Sequence, residues 1–334
     1  MSVSIGVVVI GRNEGERLRR SLISATDSGH PVVYVDSDST DSSCSMAREL
    51  GVHVVELGNS SQLSAGRARN AGAAALTELI PECEFICFID GDCELSQGWT
   101  EEAGRHLSSH AELAAVTGRR RERSPQSSIW NRICDLEWDT PLGLIDATGG
   151  DFVIRATAFR DVYGFDENFV AGEEPELGLR LAREGWKIER IDCEMTIHDA
   201  DITRFSQWWQ RCRRAGQAFL QGYLVHGKGS EHFWRREALR PLIWAGLIPA
   251  LALGASTISA SLSLAIAALF PLQAGRIITG ELRKGRSISD ATVYSMACLV
   301  GHFAELSGQA GFLMQRRAGH SPALVEYKNG PQLD

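Results

Sequence analysis

Through about residue 120 the chain alternates short β-branched apolar runs with stretches of helical periodicity, and nothing else in it restricts the fold as much. The runs are too short for helices and end in polar residues, as central strands do when both of their faces are covered. Helices following such strands supply the cover, so the pattern implies an α/β fold built on a Rossmann-like, mostly parallel mixed sheet. Expected strands are Ser4 to Ile10, Val32 to Val35, Val52 to Glu56, Phe85 to Ile89 and Leu113 to Thr117. Expected helices lie near Glu14 to Thr26, Ser42 to Leu50, Ser64 to Leu79 and Gly98 to Ser108.

From 120 to 230 the alternation becomes irregular. Glu122 to Asp139 has no clean period and reads as a long loop or lid. A strand at Phe152 to Ile154, a helix from Glu174 to Glu184, a strand at Lys187 to Ile191 and a helix from Phe205 to Tyr223 complete a first domain expected at 1–230. The remainder, 231–334, is an apolar helical region. No charged residue occurs between Arg240 and Arg276, an interval longer than the roughly 20 residues of one membrane span and shorter than two spans with a turn. Arg235, Arg236 and Arg240 precede it, and Arg276, Arg283, Lys284 and Arg286 follow. Basic residues prefer the cytoplasmic face, which a short hairpin or re-entrant element satisfies better than one span. Ala291 to Met314 reads as a membrane-associated or packed amphipathic helix. The competing reading of the whole region is a buried helical subdomain or a subunit interface.

The net charge of −8 over 334 residues argues against nucleic acid as a partner, since neutralising phosphates takes a basic surface. The basic runs Arg119 to Arg121 and Arg211 to Arg214 suit either an acidic substrate or a solvated face. The eight cysteines show no zinc-ligand spacing, and the first residues lack the basic start of a signal peptide. Both features place the chemistry in the cytoplasm, with reduced thiols.

Four constellations carry chemistry. In FICFIDGDCE an apolar strand delivers Asp90 and Asp92 to its carboxyl end, where open α/β sheets bind ligands. Two carboxylates one residue apart share a hard cation, and that cation grips a diphosphate; alone, the string is an acidic turn. VVYVDSDSTD offers Asp36 and Asp38 after another strand, as acceptors for a base or ribose or as a helix cap. SAGRARNAG then opens a helix with Arg69 and Asn70, for a phosphate or a structural ion pair. GEEPELGLRL clusters Glu173, Glu174 and Glu176 at a helix start, where the dipole favours carboxylates whatever the function and where one suits a general base. His198 is a metal or diphosphate ligand or a structural histidine. Trp208, Trp209 and Arg211 form an acceptor platform or pack the soluble domain on the apolar region.

Taken in order, VVIGRNE, VDSDSTD, ARNAG, FIDGD, GGDFVIRATAFRDVYGFDE and GEEPELGLRL resemble glycosyltransferase family 2 over residues 3 to 225. The resemblance implies a GT-A nucleotide-sugar fold and an inverting transfer to an acceptor hydroxyl with manganese or magnesium. By the same resemblance Gly11, Asn13, Glu14, Asp36, Asp38, Arg69, Asn70 and Asp90 bind the donor, and Asp90, Asp92 and His198 hold the metal. Glu174 matches the second position of the family's usual Glu-Asp pair, the base; from position alone, Gly150 and Asp151, with Glu173, are expected on the acceptor side. Ser37 stands where many relatives carry a second aspartate, and glutamate replaces aspartate at 174. The apolar tail resembles the membrane segments of bacterial members, which implies a lipid-linked or glycan acceptor and work at the cytoplasmic face of the inner membrane. A nucleotidyltransferase would need a phosphate loop that VVVIGRNEGERL lacks. A catalytically silent scaffold would have no use for intact Asp90, Asp92, Glu174 and His198.

Overall fold

The computed structural model describes residues 4–58 and 64–319; parts of both expected regions, 1–3, 59–63 and 320–334, lie outside the described residues. The chain divides into two compact units. One comprises the residues up to Ser124 with Glu137–Ala200, the other Pro125–Leu136 with the residues from Asp201 onward.

The first unit is built on β1 (Ile5–Gly11), β2 (Val32–Asp36), β3 (His53–Glu56), β4 (Phe85–Asp90), β5 (Cys93–Leu95), β6 (Leu113–Glu122), β7 (Gly143–Ile145), β8 (Phe152–Arg155) and β9 (Lys187–His198). They lie in the order β3-β2-β1-β4-β8-β6-β9-β5, with β7 paired to β9 outside that row. The half formed by β3, β2, β1 and β4 is parallel, and β8 inserts antiparallel between β4 and β6. This is the expected α/β architecture. Alternate residues of β1 feed opposite faces: Val7 and Val9 join Leu18, Leu22 and Tyr34, while Val8 joins Ala68, Leu76 and Phe88. Full burial of each such side chain is worth about 1.5–3 kcal/mol. A Cβ at Gly72 would lie 2.2 Å from Val8, so this glycine lets the helix Ala65–Leu79 lie directly on the sheet. In register, Gly11 stands beside Asp36 and Ile10 beside Asp90, which puts the carboxyl ends of β1, β2 and β4 on one edge.

Two elements differ from expectation. β9 continues past Ile191 to His198, and β6 past Thr117 to Glu122, pairing in parallel through local register shifts. The segment expected as a lid carries a helix, Ile129–Trp138. Its start belongs to the second unit, where the Asn131 side chain accepts the Ile202 amide at 2.9 Å and Arg132 pairs with Asp290 at 2.8 Å.

The second unit is helical: Phe205–His226, Arg235–Ser256 with a π-helical turn at Leu242–Leu247, Ala260–Ala267, Leu269–Arg283 and Ile288–Arg317. The last helix crosses the first at two glycines. A Cβ would lie 2.2 Å from the Glu305 carbonyl oxygen at Gly216, and 2.0 Å from that of Arg213 at Gly308. The apolar stretches Arg235–Ser256 and Ala260–Arg283 are each long enough to cross a membrane, and only 22% and 0% of their most apolar windows are buried within the protein.

Candidate functional site

At the ends of β1 and β2 two loops are tied together. The Tyr34 hydroxyl and the Ser39 amide each donate to one Asp36 carboxylate oxygen, both at 2.7 Å. Burial, then the adjacent Asp36, keeps the Tyr34 phenol protonated far above its ordinary range, so it remains a donor. Asn13, with φ of 53°, accepts the Thr40 amide at 2.7 Å and donates its own amide to Ser39 Oγ at 2.9 Å. The Gly11 carbonyl accepts from Ser37, the Asp38 carbonyl from Arg12, and Glu14 pairs with Arg17 at 3.0 Å.

Arg69 is the hub beneath this edge. Its guanidinium is 2% exposed and meets Asp90 at 2.8 Å, Glu173 at 3.0 Å and Glu174 at 3.3 Å, with its carbon 5.4 Å from the Phe165 ring centre. Burial alone would lower its pKa, but the carboxylates outweigh burial and raise it, so the charge is permanent. Glu173 is 4% exposed and Glu174 16%. Burial, then the charge of Glu173, pushes the Glu174 carboxyl up to about 7 in spite of Arg69. Gly150 touches the same point: a Cβ there would sit 2.2 Å from Asp90 Oδ2, so only glycine allows the 149–151 turn against β4.

A second arginine, Arg120 on β6, pairs with Asp151 at 2.7 Å and approaches Asp90 at 3.7 Å, with its guanidinium 5.6 Å from the Trp138 ring centre. Asp151 also accepts from the Thr196 hydroxyl at 2.7 Å and the Asp90 amide at 3.0 Å. Burial would raise its pKa, but Arg120 and these donors prevail and hold it below the usual carboxylate range.

Asp92 and His198 are brought together where Cys93 of β5 pairs with His198 of β9. Asp92 Oδ2 lies 3.1 Å from His198 Nε2, and the other ring nitrogen faces Glu122 at 3.8 Å, with the Trp138 ring edge-on at 4.5 Å. Burial alone would lower the His198 pKa; Asp92, then Glu122, reverses that and raises it. One buried carboxylate and one buried imidazole form an oxygen and nitrogen donor pair that fits a divalent cation such as Mn2+, while Asp90 groups with Cys93 and Asp151. Cys93, buried, also lies within reach of both, and burial, then Asp151, raises its thiol pKa.

The strands and loops that build this site match two family models: glycosyl transferase family 2 over residues 6–161 and glycosyl transferase family group 2 over 145–278. The chain belongs to glycosyl transferase family 2. A mannosyltransferase from Pyrobaculum calidifontis, solved with GDP-Man and Mn2+, superimposes with a TM-score of 0.63 at 16% identity, over 93% of this chain and 88% of its own. GalNAc-T7, solved with UDP, GalNAc and Mn2+, superimposes with a TM-score of 0.51 at 14% identity, over 72% of this chain and 51% of its own. Both likenesses are of fold, GT-A. In sequence the chain is 28% identical over 222 residues to the pre-mycofactocin glycosyltransferase of Mycobacterium tuberculosis. That alignment covers 62% of this chain and 45% of that relative, so the chain spans less than half of the relative's length.

Within this family 2 domain the expected residues divide by role. Asp90, Asp92, His198, Arg69, Glu173, Glu174 and Gly150 converge. Asp151 converges too, but at 0% exposure it orders Arg120 and the Asp90 backbone and cannot touch an acceptor. Asn70, expected at the donor, latches the 164–167 loop through the Phe165 backbone at 2.9 Å both ways and Glu167 at 3.1 Å. Trp208, Trp209 and Arg211 lie in the second unit; Trp208 is 2% exposed and stacks on Trp130 at 4.9 Å, so it offers no open face to a sugar, while Trp209 and Arg211 are half-buried. Glu122, Thr196 and Trp138 were not anticipated, and Arg120 only as one of a basic run. Their signal was a period of two running through TGRRRE and CEMTIH, which puts Arg120 and Glu122 on one face and the exposed Arg121 on the other.

Proposed function

We propose that the protein transfers a sugar from a nucleotide-sugar donor to an acceptor hydroxyl with inversion, and that Glu174 is the base. One observation carries this reading: Arg69 grips the donor-side carboxylate Asp90 and the Glu173-Glu174 pair at the same time, which sets the two halves of a displacement a guanidinium's width apart. Glu173 is committed to Arg69 and nearly enclosed, whereas Glu174 is the more open and has a pKa near neutrality, as a general base requires. The acceptor oxygen attacks the anomeric carbon as its proton passes to a Glu174 carboxylate oxygen. The bond from that carbon to the diphosphate oxygen breaks, and the nucleoside diphosphate leaves with the electron pair. Asp92 and His198, with Asp90, would hold a divalent cation, whose chemistry is to stabilise charge growing on the diphosphate. Arg120 holds Asp151 and, through it, the Asp90 backbone in place.

Apolar helices exposed over most of their length support attachment to a membrane, and hence a lipid-linked acceptor handled at the cytoplasmic face. A panel of labelled nucleotide sugars with Mn2+ or Mg2+ tests the reading. Binding or slow hydrolysis of one donor, lost on adding a chelator, is expected; silence toward every donor overturns it.

A further inference from the structure

From the second unit's apolar helices we infer a membrane-facing surface of one particular kind: a hairpin that enters the bilayer from one side and returns to it, with its turn buried in hydrocarbon. The inference rests on the membrane attachment proposed above. The arms are Arg235–Ser256 and the contiguous helices Ala260–Ala267 and Leu269–Arg283. They pack on each other: Ser263 Oγ donates to the Ala252 carbonyl at 2.8 Å, and the Trp244 and Phe270 rings meet edge to face at 5.6 Å. Leu253, Ile258 and Leu264 at the closed end are 74%, 81% and 71% exposed, so this end has no protein cover.

Three features point to entry and return on one side. First, the exposed basic residues, Arg235, Arg236, Arg240, Arg276, Arg283 and Lys284, all stand at the open end, with the Trp244–Phe270 pair just inside them. Aromatic and basic residues anchor a helix where lipid meets water, and the closed end has neither. Second, the uncharged part of each arm, 241–256 and 260–275, reaches about 24 Å at 1.5 Å per residue, which falls short of a hydrocarbon core of about 30 Å, so the turn stops inside it. Third, the turn pairs part of its own backbone. The amides of Thr257, Ile258 and Ser259 donate to carbonyls of Gly254 and Ala255, and the hydroxyls of Ser256 and Thr257 donate to Leu253 and Gly254 at 2.6 and 2.8 Å. Ser259 Oγ accepts the Leu262 amide. Each such pair lowers the cost of carrying the turn into hydrocarbon.

The test places a cysteine at the turn, Ile258→Cys, and another beyond the open end, Ser289→Cys, in the full chain added to vesicles of equal parts phosphatidylcholine and phosphatidylglycerol. A membrane-impermeant maleimide is supplied outside or sealed inside, and labelling is counted above that of the parent chain. The expected result is loss of labelling at 258 from both sides, recovery in detergent, and labelling at 289 from outside. Labelling at 258 from inside the vesicle means two full spans and overturns the inference while keeping the membrane. Labelling at 258 from outside overturns it because the turn has not entered, and leaves a contact between copies as the cover. Failure of the parent chain to float with the vesicles instead defeats the membrane attachment itself.

Discussion

Glu173 and Glu174 share Arg69 and differ in exposure, and the difference predicts a pH profile. With the Glu174 carboxyl near 7 through burial and Glu173, its basic form is lost as pH falls. Transfer under kcat conditions is expected to drop about tenfold per pH unit below 7 and to level off above it. Glu174→Gln should cost roughly 10²–10⁴ in kcat and abolish this limb while nucleotide binding, read by calorimetry, stays within a few-fold. Full transfer by the variant would place the base elsewhere. Glu122 acts at one remove: it faces the ring nitrogen of His198 opposite Asp92, so Glu122→Ala should weaken Mn2+ affinity about 10–100-fold in direct titration without donor. Asp90 and Glu174 were legible as candidates because one ends a recognisable strand and the other stands at a helix start, whereas His198 stood as a lone histidine beyond the expected end of its strand. Glu122 was not, and Arg120 stood only as one of a basic run that suits a substrate or solvent equally until its strand is known to continue.

The same cause operates on elements. Buried runs such as Val32 to Val35 announce a strand by composition, whereas the ends of β6 and β9 mix arginine, aspartate and glutamate. They remain strands because each pairs with the other and sends alternate residues into the site, a partnership 70 or so residues apart that no local window contains. The helix Ile129–Trp138 was hidden for a related reason: its short apolar face packs on Trp208 and Phe205, far along the chain. Among the helices of the second unit the tightest contact is the crossing at Gly216 and Gly308. Gly308→Leu would drive side-chain atoms into the Arg213 carbonyl, already 2.0 Å from a mere Cβ, and should cost at least about 1–3 kcal/mol. Calorimetry should show the loss as a lowered melting transition, while a Gly254→Ala control, with open space around it, leaves the transition in place.

For the molecule as a whole, two forces would hold it to a bilayer, and their sizes decide how it comes off. Six exposed basic residues at the open end of the hairpin contribute about 1 kcal/mol each beside an anionic surface, and salt screens them within a Debye length of about 3 Å at 1 M. Leu247, Leu251, Leu253, Leu262, Leu264 and Leu272 are each between 47% and 74% exposed in water, and full burial of a leucine is worth about 1.5–3 kcal/mol whatever the ionic strength. Even at half that value the leucines alone retain about 5–9 kcal/mol, before Ile243, Ile258 and Phe270 are counted. Washing membranes with 1 M salt, roughly the ionic strength at which that screening is complete, should therefore leave the protein in the pellet, and detergent should release it. Leu253→Asp with Leu264→Asp, two charges placed in the hydrocarbon, should send it to the supernatant even at low salt. Release of the parent chain by salt alone would mean that the basic rim does the holding and that the apolar arms are covered by something other than lipid.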